Sequence, residues 1–279
     1  MRIIYSLNTY PVANNRWNMG NRFDDTIYMT AGSILHTHMW YKDITLYIDP
    51  IGYEYLSGLP CRVVKVDFKQ DLELWMEPKL YAIENQREPF VHVDTDIFIK
   101  QPIEFEFEKV IVERKDIGYY CYEPLIKFFD DYCKNLPLWD STIPYAWSCG
   151  VIGFKDFALR DEFLSFYRIL KGILSDHRKE YDAFIDDYRG YLEIALLLEQ
   201  YNLTSMLKVI GIAPTVLIPG DTIQEQSRYA NNLGYTHLLG ASKYHPKNID
   251  KIKRLMYIKF ADQYKSIQDR LENTIIGSL

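Results

Sequence analysis

Phe90-Val91-His92-Val93-Asp94-Thr95-Asp96 decides the fold. Its first four residues are almost entirely apolar, as expected of a central strand covered on both faces, and the run stops abruptly at Asp94. Such strands belong to open, mostly parallel α/β sheets, where ligands bind in the crevice outside the carboxyl ends of the strands. Two carboxylates therefore stand at a ligand-binding edge. On an extended segment, residues i and i+2 point the same way about 7 Å apart, so Asp94 and Asp96 can reach one ion, directly or through its waters. Hard oxygen ligands suit Mg2+ or Mn2+, ions that keep waters and bind phosphate oxygens beside one or two protein carboxylates. The pair thus predicts a diphosphate clamp. The motif is short, and a solvated turn is the competing reading. It is, however, the only Asp-x-Asp in the chain, and it leads into the apolar Ile97-Phe98-Ile99.

Working outward, short apolar runs alternate with stretches of helical period, the pattern of an α/β protein. Strands are expected at Ile3–Leu7, Ile44–Ile48, Arg62–Phe68 and Pro89–Val93, with helices over Thr26–Tyr41 and Leu72–Asn85 between them. Further strands are expected at Val110–Val112, Val151–Phe154 and Val209–Ala213, and helices over Phe157–Ser175 and Asp186–Tyr201. Apolar residues from Ile249 to Leu271 recur near helical spacing, so Asn248–Ile276 reads as one or two amphipathic helices. One α/β domain over residues 1–245 is expected, with an amphipathic helical segment, 246–279, packed on it.

Composition narrows the class. The chain has 279 residues, 48% of them hydrophobic and 25% charged, which is an ordered globular composition large enough for one substantial core. The start reads as a first strand rather than a signal peptide, and no apolar run reaches the roughly 18 residues that span a bilayer. Cys61, Cys121, Cys133 and Cys149 are scattered without a Cys-x-x-Cys pair, which argues against a zinc site and a disulfide framework. A cytoplasmic protein, soluble or membrane-peripheral, is expected. The net charge is −6, yet residues 243–270 hold eight Lys or Arg against three Asp. A solvated helix face accounts for this cationic tail, and peripheral contact with an acidic membrane surface is the alternative. No nucleic-acid partner is expected.

A second motif is His237-Leu238-Leu239-Gly240-Ala241-Ser242-Lys243. His can complete a metal shell beside carboxylates, Gly lets backbone approach a phosphate, and Lys supplies a point charge for the diphosphate. Alone, the segment reads as a surface loop. Together with Asp94 and Asp96 it resembles the GT-A glycosyltransferases, and in particular the glycogenin-like and lipopolysaccharide galactosyltransferase-like group, family 8. The resemblance implies a GT-A (Rossmann-like) fold in which Asp94, Asp96 and His237 hold Mn2+ or Mg2+ and Lys243 contacts the donor diphosphate. Softer similarities are Lys79, on a helix fifteen residues ahead of Asp94, and an N-terminal strand ending in Asn8-Thr9. The segment Tyr145–Phe154 resembles the strand that shapes the sugar pocket, with Ser148 where the group has Asn.

Other residues carry weaker signals. Glu193 is read as an acid on an otherwise apolar helix that includes Tyr191; a buried acid there would need a partner, making it a candidate for the catalytic sugar site. Tyr145 and Trp147 read as core packing before sugar stacking. His36 and His38 would fall on different helix faces and are rejected as a metal pair.

The function expected is metal-dependent transfer of a sugar from a nucleoside-diphosphate sugar, a UDP-sugar by the resemblance, to a glycan or lipid-linked hydroxyl. Asn8, Lys79, Asp94, Gly240 and Lys243 would contact the donor. A nucleotidyltransferase is the first alternative, although no Gly-rich phosphate loop follows the first strand. A carbohydrate-binding protein with a transferase-like fold but no turnover is the second.

Overall fold

Strand β1 (Arg2–Leu7) leads through the short helix α1 (Tyr10–Ala13) into α2 (Phe23–His38), then β2 (Ile44–Ile48), α3 (Pro50–Leu56), β3 (Arg62–Lys65), α4 (Glu77–Glu84), β4 (Phe90–Val93) and β5 (Ile97–Ile99). There follow β6 (Val110–Asp116), α5 (Glu123–Cys133), β7 (Ala146–Phe154), α6 (Phe157–Asp176) and α7 (Arg178–Asp187). Next, α8 (Ile194–Leu196), a π-helical turn (Leu197–Tyr201) and α9 (Asn202–Val209) run continuously. Strand β8 (Thr215–Val216), α10 (Ile223–Asn232), β9 (Tyr235–His237), a 3-10 turn (Gly240–Tyr244), α11 (Pro246–Lys259) and α12 (Ala261–Gly277) complete the chain. These elements come from a computed structural model that describes residues 1–117, 121–188 and 192–277.

The chain divides into two compact units, residues 1–105 with 230–279, and residues 106–229. In the first, β3, β2, β1 and β4 lie side by side in that order, all parallel. This is the α/β arrangement that the alternation of apolar runs demands, since parallel neighbours need helical crossovers between them. Strand β4 is buried at every position, which explains its apolar sequence. Helix α2 is buried along most of its length, and Gly32 permits close approach: a Cβ there would meet Ile252 of α11 at 3.0 Å and Phe98 of β5 at 3.3 Å. Strands β5 and β9 form a separate antiparallel ribbon pairing Ile97 with His237 and Ile99 with Tyr235.

In the second unit β6 pairs antiparallel with β7, with a bulge between Val112 and Arg114, and parallel with β8. At this irregularity the fully buried Glu113 accepts a hydrogen bond from Ser148 Oγ at 2.9 Å.

Several boundaries differ from the sequence expectation, for local reasons. The helix expected over Leu72–Asn85 starts at Glu77, because the Asp71 carboxylate accepts from the Glu73 and Leu74 amides and holds a turn ahead of it. No strand forms at Val209–Ala213. Val209 ends α9, and Gly211, at φ 71°, turns the chain in a left-handed conformation before β8 begins at Thr215. The helix expected over Asp186–Tyr201 is not continuous either. It stops at Asp187 and resumes at Ile194, with 189–191 outside the described residues. Glu193 is therefore not on a helix: its backbone is extended (φ −133°, ψ 96°) and it precedes α8. The tail is two helices, broken at Phe260, whose conformation (φ −141°, ψ 50°) is not helical.

Candidate metal and diphosphate site

All residues of this site lie in the first unit, at the carboxyl edge of its parallel sheet. Strand β4 delivers Asp94 just past its last residue, and the chain then turns tightly, with the Ile97 amide donating to the Asp94 carbonyl at 3.1 Å. The triplet is thus a turn rather than the extended segment expected. Around this turn, oxygens of Asp94 and Asp96 and a ring nitrogen of His237 all lie within 4.8 Å of one another.

The ribbon explains how His237 arrives. Its pairing with Ile97 places it next to Asp96, the Leu238 amide donates to the Asp96 carbonyl at 3.1 Å, and His237 Nε2 stands 3.3 Å from Asp96 Oδ1. Gly234 makes the turn before β9 at φ 61°, where a Cβ would lie 2.6 Å from Gln101 Cγ, so a larger residue would be strained and would have to displace that side chain. Gly240, at φ 52°, starts the 3-10 turn that swings Lys243 back, so that Lys243 Nζ reaches Asp96 Oδ2 at 3.1 Å. Nothing crowds a Cβ at Gly240, so it is the left-handed backbone conformation that favours glycine there. The Lys243 ammonium also lies 5.8 Å from the Trp17 ring centroid and 5.9 Å from that of Tyr244.

Lys79, which pattern alone left between a surface and a site role, is buried on α4 and places Nζ 2.8 Å from Asp94 Oδ1. Two residues that sequence reasoning passed over complete the surroundings. His92 is buried on β4, with Nε2 3.0 Å from Ser6 Oγ and Nδ1 3.7 Å from Asp94 Oδ1. Asp49, at the end of β2, accepts from the Thr9 amide (3.0 Å) and the Thr9 hydroxyl (2.8 Å). It thereby fixes the loop after β1 that carries Asn8, whose Oδ1 accepts from the Tyr10 amide at 3.1 Å. Each had a signal: His92 is two residues before Asp94 at the end of one strand, and Asp49, at the N-cap position of a helix, follows a strand and precedes Pro50.

Electrostatics separate the two aspartates. Burial pushes the Asp96 carboxyl up, but Lys243 and then His237 outweigh it and hold the group well below the usual carboxylate range. For Asp94 burial prevails over Lys79, with Asp96 adding repulsion, and the carboxyl is raised. Burial, followed by the Lys79 charge, drives His92 far below the usual histidine range, so its ring is neutral. Burial opposes the Lys243 charge, but Asp96 more than offsets it and the ammonium is stabilised. Two carboxylates and an imidazole with two flanking cations form a donor set that fits a divalent ion carrying a polyanion.

Glu193 is not among these residues. It lies in the second unit, nearly fully buried; burial, then Asp116 and last Glu193 raise the Cys121 thiol. His36 is buried on α2 with Nδ1 2.8 Å from the Gly32 carbonyl.

The fold and site define an α/β protein with an Asp–Asp–His cluster at the carboxyl edge of a parallel sheet. The chain belongs to a family of unknown function (DUF6734), whose profile matches residues 1–270. No curated protein matches it. Among solved structures it is similar to the apo form of the bifunctional glycosyltransferase WbbM (11% identity, TM-score 0.49), over 97% of this chain and 51% of that one. It is also similar to an active-site mutant of LgtC (10%, TM-score 0.47, 91% and 95% covered) and to apo mouse xyloside xylosyltransferase 1 (12%, TM-score 0.39, 88% and 93% covered). The chain spans about half the length of WbbM. None of these likenesses carries an activity to this chain.

Proposed function

We propose that the chain is a metal-dependent glycosyltransferase of the GT-A type, transferring a sugar from a nucleoside-diphosphate sugar, a UDP-sugar by motif resemblance, to a hydroxyl of a glycan or lipid-linked acceptor. The observation that carries the reading is the convergence of Asp94, Asp96 and His237 within 4.8 Å, with Lys243 and Lys79 each within 3.1 Å of one of the aspartates. A Mn2+ or Mg2+ ion held by those three residues would neutralise charge on a departing diphosphate. Lys243 would share that task as a fixed cation in a partly dehydrated place, where charge stabilisation is strongest. Lys79 holds Asp94 in position, and Asn8 and Gly240 shape the edge that receives the donor. Glu193, a buried acid of the second unit, is kept as a candidate catalytic group on its burial and acidity alone.

Peripheral membrane contact is part of this proposal. On α11, Lys247, Lys251, Arg254 and Ile258 recur at helical spacing, and all four are exposed, opposite the buried Ile249, Ile252 and Met256.

Calorimetric titration of UDP tests the assignment. Binding is expected to be much tighter with Mn2+ than with a chelator, because ion and diphosphate share one site. Asp94→Asn and Asp96→Asn are each expected to remove that difference while the protein still melts cooperatively. Equal UDP affinity in both conditions would overturn the metal-bridged donor.

A further inference from the structure

His92 stands beside Asp94, and the proposed function gives it no task. Its side chain is 1% exposed. Nε2 has a partner in Ser6 Oγ at 3.0 Å, whereas Nδ1 is buried without a hydrogen bond. That nitrogen stands 3.7 Å from Asp94 Oδ1, too far for a hydrogen bond and near enough for a small carboxylate rotation to make one. A buried ring nitrogen left in this way carries the desolvation cost of an unmade bond.

The tautomer follows from what each nitrogen faces. If Nε2 held the proton and donated to Ser6, the Nδ1 lone pair would confront a carboxylate oxygen, which is repulsive. If the Ser6 hydroxyl donates to Nε2, the proton resides on Nδ1 and is directed at Asp94. Asp94 Oδ1 then faces two donors, Lys79 Nζ at 2.8 Å and His92 Nδ1 at 3.7 Å, which would leave the other oxygen to serve as the metal ligand.

We infer that His92 is a positioning residue for the metal ligand Asp94, acting through Nδ1–H on Oδ1, with Ser6 fixing its tautomer. The inference rests on the metal reading above. Partners of this kind behind a ligand typically change metal affinity by about 10–100-fold when removed.

The test is Mn2+ affinity in the presence of UDP, read as the loss of the free-ion electron paramagnetic resonance signal, with a thermal melt of every variant. In His92→Gln the amide falls near the Nε2 position and keeps Ser6 but leaves Asp94 without its donor; affinity is expected to drop about 10–100-fold. In His92→Asn the amide nitrogen falls near Nδ1, and affinity is expected to stay near that of the unaltered protein. A role in packing alone predicts the reverse order, because Asn fills the site less well. Ser6→Ala, a smaller perturbation, is expected to weaken Mn2+ several-fold, and it decides the matter should His92→Gln fail to fold. Gln and Asn variants that bind Mn2+ equally, or a Ser6→Ala variant with unchanged affinity, would overturn the inference while leaving the metal site standing. If the unaltered protein takes up no Mn2+, or Asp94→Asn takes up as much, the metal reading falls and this inference with it.

Discussion

Lys243 Nζ and Asp96 Oδ2 lie 3.1 Å apart although 147 residues separate them in the chain. His237 Nε2 flanks the same carboxylate at 3.3 Å. One aspartate thus meets a prospective metal ligand and a cation, and the two substitutions are expected to read differently. Lys243→Ala should lower kcat by about 10²–10³ with a much smaller change in donor affinity, since the ammonium acts on charge that grows toward the transition state. His237→Ala should raise the Mn2+ concentration needed for half-maximal rate. Steady-state kinetics over a Mn2+ series separates the two, and identical effects from both would count against distinct roles.

Lys79 gives a prediction about stability. Lys79→Met keeps the bulk of the side chain but strands Asp94, whose side chain is 27% exposed. The loss is expected to be about 2 kcal/mol, below the 3–5 kcal/mol typical of a fully buried pair, because water reaches the orphaned carboxylate. Denaturant unfolding measures it. Combining Lys79→Met with Asp94→Asn should recover part of the loss, since the uncompensated charge is then gone.

His36 governs a response to pH. Its ring packs against Phe98 and Phe260, and burial, with Lys259 and Lys100, lowers its pKa below the unfolded value near 6.5. Between the lowered folded value and about 6.5 the unfolded chain binds the extra proton more readily, so stability falls as pH falls through that window and levels off below it. His36→Phe should flatten part of this slope, as read from melting temperatures between pH 7 and pH 5.

The outer face of α11 is expected to hold the protein on vesicles of anionic lipid at low salt and to release it as salt rises. Reversing Lys247, Lys251 and Arg254 to Glu should abolish sedimentation with such vesicles without changing UDP binding.

The Asp94–Asp96 edge was legible because a fully buried strand leaves few places for charge, so two aspartates after Phe90–Val93 had to mark a sheet end. The catch of Lys79 by Asp94 was not, because a helix residue and a strand end meet only through the crossover between them. His92 looked like one more strand residue, and its meaning depends on Ser6 of the adjacent β1. The misplaced strand at Val209–Ala213 arose from apolar residues that finish a helix, a short run that periodicity cannot assign. Glu193 looked helical because apolar neighbours surround it, yet it precedes the helix.

The β5–β9 ribbon has a consequence for how sites of this kind vary among relatives. Asp96 and His237 are held together by backbone pairing between Ile97–Ile99 and Tyr235–His237, not by the length of chain between them. Length changes in 106–229 that leave this pairing intact are expected to leave that distance as it is. One residue inserted within either three-residue strand would shift the pairing and turn His237 to the opposite face. Relatives of this chain should therefore differ freely in the spacing between the two motifs while both short strands keep a constant length.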